Sequence, residues 1–124
     1  MPNAKQKAQK NTGPTQLGLI LQLHGDYRRS LQPIGVTPLQ AGVLCYLHRH
    51  TDAGSSAVAN ALCVKLPTLT EVVQALVRKR WITDRRSVED RRAVCLRLIR
   101  KGEALVREVT QQIAEVEGFF SEHA

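Results

Sequence analysis

One segment, residues 67–98, constrains the fold more than any other part of the chain. Its apolar residues first recur at helical spacing and then alternate, as in a helix followed by strands. The apolar face of this helix comprises Leu69, Val72, Val73, Leu76 and Val77. Between the strand-like segments 81–83 and 93–98 lies DRRSVEDRR, which is too highly charged to be buried. The segment therefore predicts a short amphipathic helix followed by a β-hairpin with arginines at its tip.

The positive charge of the chain is concentrated in the same region. The 124 residues carry a net charge of +7, which favours a polyanionic partner. Residues 78–101 contain ten Lys or Arg and three acidic residues, so this window alone accounts for the whole excess. Because a face that only keeps a protein soluble usually mixes both signs, a functional surface is the favoured interpretation and a solvated face is the alternative.

Three further helices are predicted before this unit. Thr15 is the expected N-cap of the first helix, and Thr37-Pro38-Leu39-Gln40 has the residues of a capping box at the start of the second. Asp52-Ala53-Gly54 predicts a turn, and Ser55-Ser56 predicts a cap for a short third helix. A brief connection then leads to Leu66-Pro67, where the helix of the first segment begins. Two short helices joined in this way form a helix-turn-helix pattern.

The first and last helices carry more apolar surface than one small domain is expected to bury. The first, residues 15–32, is apolar on two sides, and the last, residues 100–124, has a seam close to a coiled-coil rhythm. Both are therefore predicted to pair with a second copy of the chain. The expected interface residues are Leu17, Ile20, Leu21, Val109, Ile113, Val116 and Phe120. The predicted organisation is one domain, residues 15–124, after a disordered basic tail, residues 1–14.

The sequence lacks the motifs of several other protein classes. The cysteines at positions 45, 63 and 95 do not have zinc-ligand spacing, and no phosphate-binding loop or nucleophile motif is present. We therefore expect no enzyme activity, no metal and no cofactor. No apolar run approaches membrane-spanning length and no signal peptide is recognisable, so a cytoplasmic protein with no membrane partner and with reduced thiols is predicted. Cys45 and Cys63 are expected near core faces as inert thiols.

The order of four helices, a hairpin and a long helix (α-α-α-α-β-β-α) resembles the MarR family of bacterial winged-helix transcription regulators. The most specific residues are LVRKRWITDRRSVEDRRAVCLRLIRKG (76–102), with Asp-x-Arg at the hairpin tip (90–92), and TPLQAGVLCYL (37–47) resembles the family's second helix. The resemblance covers residues 15–120. It implies a mainly α fold with a small β-hairpin wing, terminal helices that form a homodimer, and one recognition helix per subunit in the major groove of double-stranded DNA.

The resemblance also implies a repressor that binds a pseudo-palindromic operator and is released by a small, often phenolic, ligand. Recognition-helix contacts are expected from Lys65, Thr68, Thr70, Glu71, Gln74 and Arg78. Wing contacts are expected from Arg85, Arg86, Asp90, Arg91 and Arg92, with Arg92 in the narrow minor groove. The candidate ligand cleft contains His24, Tyr27 and Tyr46.

Structural roles remain open as alternatives for many of these residues. The polar residues of the recognition helix are also typical of an exposed helix surface, and Arg78 also suits the helix dipole. Asp90 and Arg92 can form an ion pair within the turn, and the three cleft residues can simply pack in the core or at an interface.

Three positions depart from the family pattern. Ile99 stands where a threonine commonly caps the final helix. Trp81 stands where the family usually has glycine, so the recognition helix is expected to end without a left-handed cap. Glu71 stands where a basic or polar contact residue is common, and an acid near phosphates is repulsive unless it finds a donor. These departures motivate a second hypothesis, a winged-helix module for protein interaction, such as an adaptor or anti-regulator, without specific DNA binding.

Overall fold

The computed structural model of the chain describes residues 15–86 and 94–123. Within these ranges the chain forms five α-helices, a short 3₁₀ turn and three β-strands. In chain order the elements are α1 (Gln16–Leu31), the 3₁₀ turn (Gln32–Ile34), α2 (Pro38–Arg49), β1 (Ala53–Gly54), α3 (Ser55–Ala61), α4 (Leu66–Arg78), β2 (Ile82–Arg86), β3 (Val94–Leu98) and α5 (Arg100–His123). The predicted mainly α winged helix-turn-helix fold is confirmed, with β1 as an addition.

The first two helices begin at the predicted caps. The Thr15 hydroxyl accepts a hydrogen bond from the Gly18 N–H at 3.0 Å. The Thr37 hydroxyl accepts from the Gln40 N–H at 3.1 Å, and the Gln40 side chain accepts from the Thr37 N–H at 3.0 Å. Both N–H groups of this capping box would otherwise lack partners at the start of α2.

The predicted turn at residues 52–54 is wrong in part, because Ala53 and Gly54 form strand β1. They pair with Leu96 and Cys95 of β3 in an antiparallel register. Asp52, at φ 59°, reverses the chain just before this pairing. Gly54 is then the N-cap of α3, which has no side-chain cap, so the expected capping by the serines at 55–56 is also wrong.

The hairpin is longer on its first strand than predicted. β2 pairs antiparallel with β3 from Ile82 opposite Leu98 to Arg86 opposite Val94, and the strand order in the sheet is β1-β3-β2. Residues 84–86, which the sequence placed in the charged turn, belong to β2. The exposed side chains of Asp84 and Arg85 fit this strand because β2 is an edge strand, where charged side chains remain in water.

The core is formed where side chains from all five helices meet the inner face of the sheet. Its fully buried side chains are Leu31, Val43, Leu44, Val58, Leu69, Leu76, Ile82, Leu96 and Val109. Among the described residues, no charged or polar residue is buried with them. Contacts of this all-apolar kind stabilise the domain without requiring a disulfide or a metal.

Helix α5 packs against α1 and α2 of its own chain, which corrects part of the dimer prediction. Val109 has no exposed surface, and Val116 retains 9%. Both were predicted at an intersubunit surface, but both are already buried within the single chain. Ile113 is half-buried against the same core, and the side chain of Phe120 lies outside the described residues.

The outward side of α1 carries exposed apolar side chains. Leu17, Ile20 and Leu21 are 64%, 63% and 62% exposed. These three side chains, here called the α1 apolar face, are solvent-exposed in the single chain, as an intersubunit surface requires. No helix in the part of the chain that the structure describes is long and apolar enough to cross a membrane.

Candidate nucleic-acid interface

Helix α4 separates its buried and exposed residues cleanly. Leu69, Val73 and Leu76 are buried in the core, and the expected contact residues are all solvent-exposed. These exposed residues are Lys65, Thr68, Thr70, Glu71, Gln74 and Arg78. The helix therefore presents a continuous polar surface supported by a rigid apolar base, which is the arrangement that base readout in a groove requires.

The end of α4 is a left-handed cap, so the expectation of a helix end without such a cap is wrong. Arg80 adopts φ 62°, its N–H donates to the Val77 carbonyl at 2.9 Å, and the Trp81 N–H donates to the Leu76 carbonyl at 3.1 Å. These two bonds define a Schellman motif. The left-handed position is one residue earlier than Trp81, and it is occupied by an arginine instead of a glycine.

The same cap exposes a basic cluster at the carboxyl end of α4. Arg78, Lys79 and Arg80 are exposed, and the Lys79 ammonium lies 4.7 Å from the centre of the Trp81 ring. The Lys79 ammonium also donates to the carbonyl of Gly35, which lies in the connection between α1 and α2, at 3.4 Å. Positive charge at a helix carboxyl end is favourable in itself, and here it also flanks the polar surface of α4.

The wing begins beside this cluster. Arg85 is exposed on β2, and the backbone of Arg86 pairs with Val94. Residues 87–93 lie outside the described part of the chain, so the predicted contacts of Asp90, Arg91 and Arg92 fall there as well. The base of the wing therefore lies next to α4. Of the five residues expected to contact DNA from the wing, Arg85 is the one whose side chain the structure describes.

An ion pair that no sequence pattern indicated joins the turn before β1 to the central strand β3. The Arg97 guanidinium on β3 donates to both carboxylate oxygens of Asp52, at 2.8 and 2.6 Å. These hydrogen bonds hold the pKa of Asp52 below its usual range and raise the pKa of Arg97. No sequence pattern signals the pair, because its members are 45 residues apart and meet only through the β1–β3 pairing.

The junction between the wing and α5 is sterically tight. The Trp81 carbonyl accepts a hydrogen bond from the Ile99 N–H at 3.1 Å. A Cβ atom placed on Gly102 would lie 2.0 Å from the same carbonyl oxygen. Gly102, in the first turn of α5, is therefore a steric requirement, since only glycine lets the helix approach the Trp81 carbonyl this closely.

A cavity of about 180 Å³ lies between α1, α2 and α5. Its lining consists of Tyr27, Leu31, Pro38, Ala41, Gly42, Cys45, Ile113 and Glu117. The Tyr27 hydroxyl donates to Glu117 Oε2 at 2.8 Å. Burial, and then this carboxylate, raise the pKa of Tyr27 to about 12, and burial raises the pKa of the Cys45 thiol. The cavity is therefore mostly apolar, with one phenol–carboxylate pair as its polar group.

The three residues predicted to form a ligand cleft are not brought together. Tyr27 lines the cavity, whereas Tyr46 stacks on His50 with ring centres 4.2 Å apart, and His24 is exposed on α1. Cys45 lies where expected, but Cys63 is exposed at φ 57° in the turn after α3, so its expected place near the core is wrong. Among the residues described, no group of His, Cys, Asp or Glu could hold a metal.

The fold and the exposed surface of α4 define a winged helix-turn-helix protein, and comparison with known proteins identifies which kind. A family model described as the MarR family matches residues 36–94. The chain is 30% identical over 91 residues to the HTH-type transcriptional repressor MdtR of Bacillus subtilis (strain 168), a match that covers 73% of this chain and 59% of that protein. The chain belongs to the MarR family.

Solved structures are similar over most of the described fold. The transcriptional repressor CouR, bound to a 23-mer DNA duplex, is 26% identical with a TM-score of 0.74, covering 77% of this chain and 68% of that one. The MepR–DNA complex of S. aureus has a TM-score of 0.80 at 23% identity, covering 86% of this chain and 79% of that one. At this identity the second likeness concerns the fold alone.

Proposed function

We propose that the chain is a cytoplasmic, sequence-specific DNA-binding transcription regulator that represses as a homodimer on a pseudo-palindromic operator. The observation that carries this proposal is the exposed polar surface of α4, held on an apolar base and flanked by the basic cluster at residues 78–80. The similarity to a protein named as a repressor and to a repressor solved on a DNA duplex supports it.

The proposed contacts follow from the chemistry of the exposed side chains. Gln74 can bond an adenine edge through both of its amide atoms in the major groove. The basic cluster and Arg85 would neutralise phosphates, which gives affinity that falls steeply with salt. Arg92 at the wing tip would enter the minor groove, where a narrow groove concentrates negative potential.

The α1 apolar face is the part of the molecule that supports a homodimer. Its three side chains are each more than 60% exposed, and a large exposed apolar surface on a small protein usually marks a contact site. In the proposed dimer a second copy covers this face, and the two copies of α4 contact two half-sites of the operator.

Selection of bound duplexes from a random pool tests the proposal directly. We expect a pseudo-palindromic site, bound with an affinity that falls as salt is raised. On that duplex, Arg92→Ala should weaken binding by roughly 1–3 kcal/mol, measured by fluorescence anisotropy. Arg107→Ala is the matched control, because it removes one positive charge from the acidic segment 102–124 and should leave affinity nearly unchanged.

Two results would contradict the proposal in different ways. Equal affinities of the Arg92→Ala and Arg107→Ala variants would remove the wing-tip assignment. A strictly monomeric chain without salt-dependent affinity for any duplex would contradict DNA regulation as a whole and favour the protein-interaction module instead.

Release by a small ligand is the second part of the proposal. The cavity between α1, α2 and α5 holds about 180 Å³, below the roughly 300–1,000 Å³ of pockets for drug-sized molecules, so only a small compound fits. Its phenol–carboxylate pair suits a small phenolic compound with one polar edge. Such a compound should raise the melting temperature and weaken DNA binding in the parent protein. Tyr27→Phe should reduce both effects, and Tyr46→Phe, outside the cavity lining, should reduce neither.

A further inference from the structure

We propose that the first turn of α4 reads thymine through its 5-methyl group, using Leu66 together with the methyl group of Thr70. This inference rests on the proposed DNA-binding function and adds a base preference to it. The sequence marks Leu66 as a helix start and Thr70 as a polar contact residue.

Leu66 is a partly exposed leucine at the start of α4. It is the first residue of α4 and is 46% exposed. Among the described residues, the other large apolar side chains with comparable exposure belong to the α1 apolar face. Leu66 shares its helix face with exposed Thr70 and buried Val73, so it lies at the edge of the polar surface that the proposed function directs into the major groove.

Thr70 presents its methyl group because its hydroxyl is already engaged. The Thr70 Oγ1–H donates to the Leu66 carbonyl at 2.9 Å, a bond to the preceding turn of the same helix. A threonine hydroxyl has a single proton, so none is left for a base edge. Residues 66 and 70 are four apart and therefore share one face of the helix. The leading edge of α4 is consequently more apolar than its sequence suggests.

Thymine is the base that complements such a surface. In the major groove it carries the only methyl group among the four bases, and the other bases present hydrogen-bonding atoms that Leu66 cannot satisfy. Thr70 cannot donate to a guanine or thymine carbonyl while its proton is engaged. The neighbouring Glu71 can only accept hydrogen bonds when ionised, so it does not compete for the methyl group.

The surroundings favour DNA over a protein as the occupant of this surface. One half-exposed leucine is far smaller than the roughly 800 Å² that each partner buries in a stable protein interface. The flanking residues are basic at both ends of α4, with Lys65 at the start and the basic cluster at the end. Positive charge at the two ends of the helix is complementary to the phosphates on the two sides of a groove. Leu66 and Thr70 would make an apolar contact with a base in that groove.

Replacement of thymine by deoxyuridine tests the inference, since the two differ only by the methyl group. Each thymine of a selected duplex is replaced in turn, and affinity is measured by anisotropy. At one or two positions per half-site we expect a loss of about fourfold, the effect of one buried methyl group. Leu66→Ala should discriminate less between the thymine and uracil duplexes than the parent does, and Leu66→Met, which keeps an apolar side chain of similar volume, should retain the discrimination.

Two variants of Thr70 separate its methyl from its hydroxyl. Thr70→Val keeps a methyl group and removes the hydroxyl, so it should retain the discrimination against uracil. Thr70→Ser keeps the hydroxyl and removes the methyl, so it should reduce it. Because Leu66 and Thr70 are both exposed, all four variants should fold, and circular dichroism with thermal melting verifies this.

The outcomes distinguish this inference from the function on which it rests. If no duplex is enriched from the pool, the proposed function fails and the inference fails with it. If a duplex is bound specifically but no thymine is sensitive to the loss of its methyl group, or if Leu66→Ala discriminates as strongly as the parent, the inference is overturned while DNA binding stands. A loss of discrimination in Thr70→Val would show that the hydroxyl is the contact and would remove Thr70 from the proposal.

Discussion

Arg80 holds a left-handed backbone conformation that costs an L-residue roughly 1–2 kcal/mol. Two cap hydrogen bonds and the start of β2 fix it there, because the chain must reverse between Arg78 and Ile82. A glycine at this position would adopt the same φ without strain. The arginine instead keeps a positive charge at the end of α4, so the position combines local strain with a charge that the proposed function uses.

Arg80→Gly should therefore stabilise the domain while weakening DNA binding. Relief of strain, reduced by the greater freedom of glycine in the unfolded chain, gives an expected gain of about 0.5–1 kcal/mol in the free energy of unfolding, measured in urea. Arg80→Ala is the control, since it removes the charge but keeps the strain. Equal stabilities of the two variants would show that the left-handed conformation is not the source of the difference.

Gly102 is the second residue where backbone geometry decides the outcome. In Gly102→Ala the new methyl group would collide with the Trp81 carbonyl oxygen, at 2.0 Å. This oxygen belongs to the backbone, so it cannot move aside as the end of a flexible side chain can. We expect a loss of roughly 1–3 kcal/mol in unfolding free energy.

Gly118 provides the matched control for this substitution. It lies in the same helix, and a Cβ atom there has nothing within 4 Å. Gly118→Ala should stabilise α5 by roughly 0.5–1 kcal/mol because alanine is the better helix former. Two variants with the same chemical change are thus expected to have opposite signs, and a Gly102→Ala protein as stable as the parent would contradict the tight junction.

At the scale of elements, the Asp52–Arg97 pair links the turn before the edge strand β1 to β3 of the wing. Its bidentate geometry is specific, but both side chains are 48% exposed, and water screens exposed ion pairs. Its contribution is therefore local, fixing the turn before α3 relative to the base of the wing.

The pH dependence of this pair is a direct prediction. Because the pKa of folded Asp52 is lowered, its stabilising contribution is fully present above the unfolded value of about 3.9 and is lost as pH falls through the folded pKa. Asp52→Asn should thus lower the melting temperature at neutral pH, and the difference from the parent should vanish at strongly acidic pH. A difference that persists unchanged in acid would assign the effect to the backbone at Asp52 instead.

Much of the arrangement of elements could be predicted from sequence because local signals carry it. Caps at Thr15 and Thr37, the apolar face of α4 and the alternation in β3 each act over a few residues, and each was confirmed. The exposure of the recognition-helix residues followed from the same periodicity.

The remaining features depend on contacts between distant segments. β1 exists because Ala53 and Gly54 meet β3, about 40 residues later in the chain, and neither residue has a strong strand preference. The apolar seam of α5 was assigned to a second subunit because periodicity shows which residues are buried and not which surface buries them. Val109 illustrates this limit, since it is already buried within the single chain.

At the scale of the whole molecule, the α1 apolar face and the buried seam of α5 make separable contributions. Replacing Leu17, Ile20 and Leu21 together by serine should convert the proposed dimer into monomers, raising the dissociation constant by more than about two orders of magnitude. Sedimentation equilibrium measures this, and Gln22→Ser, an exposed change on the same helix, should leave the dimer intact. A dimer of unchanged affinity in the triple variant would place the interface elsewhere.

The triple variant should remain folded, with circular dichroism like that of the parent. Its core is complete within one chain, because Val109 and its neighbours are covered without a partner. Unfolding on dissociation would mean that the two subunits share one core, as obligate dimers do.

This self-sufficient packing of α5 has a consequence for how much protein a cell must hold. In the proposed dimer, subunits that separate persist as folded monomers, each with a single reading helix for an operator that has two half-sites. Below the dimer dissociation constant, the concentration of competent dimer varies with the square of the total amount of chain. Halving that amount would then leave about a quarter of the dimer, so modest changes in synthesis or degradation would relieve repression more sharply than they change abundance.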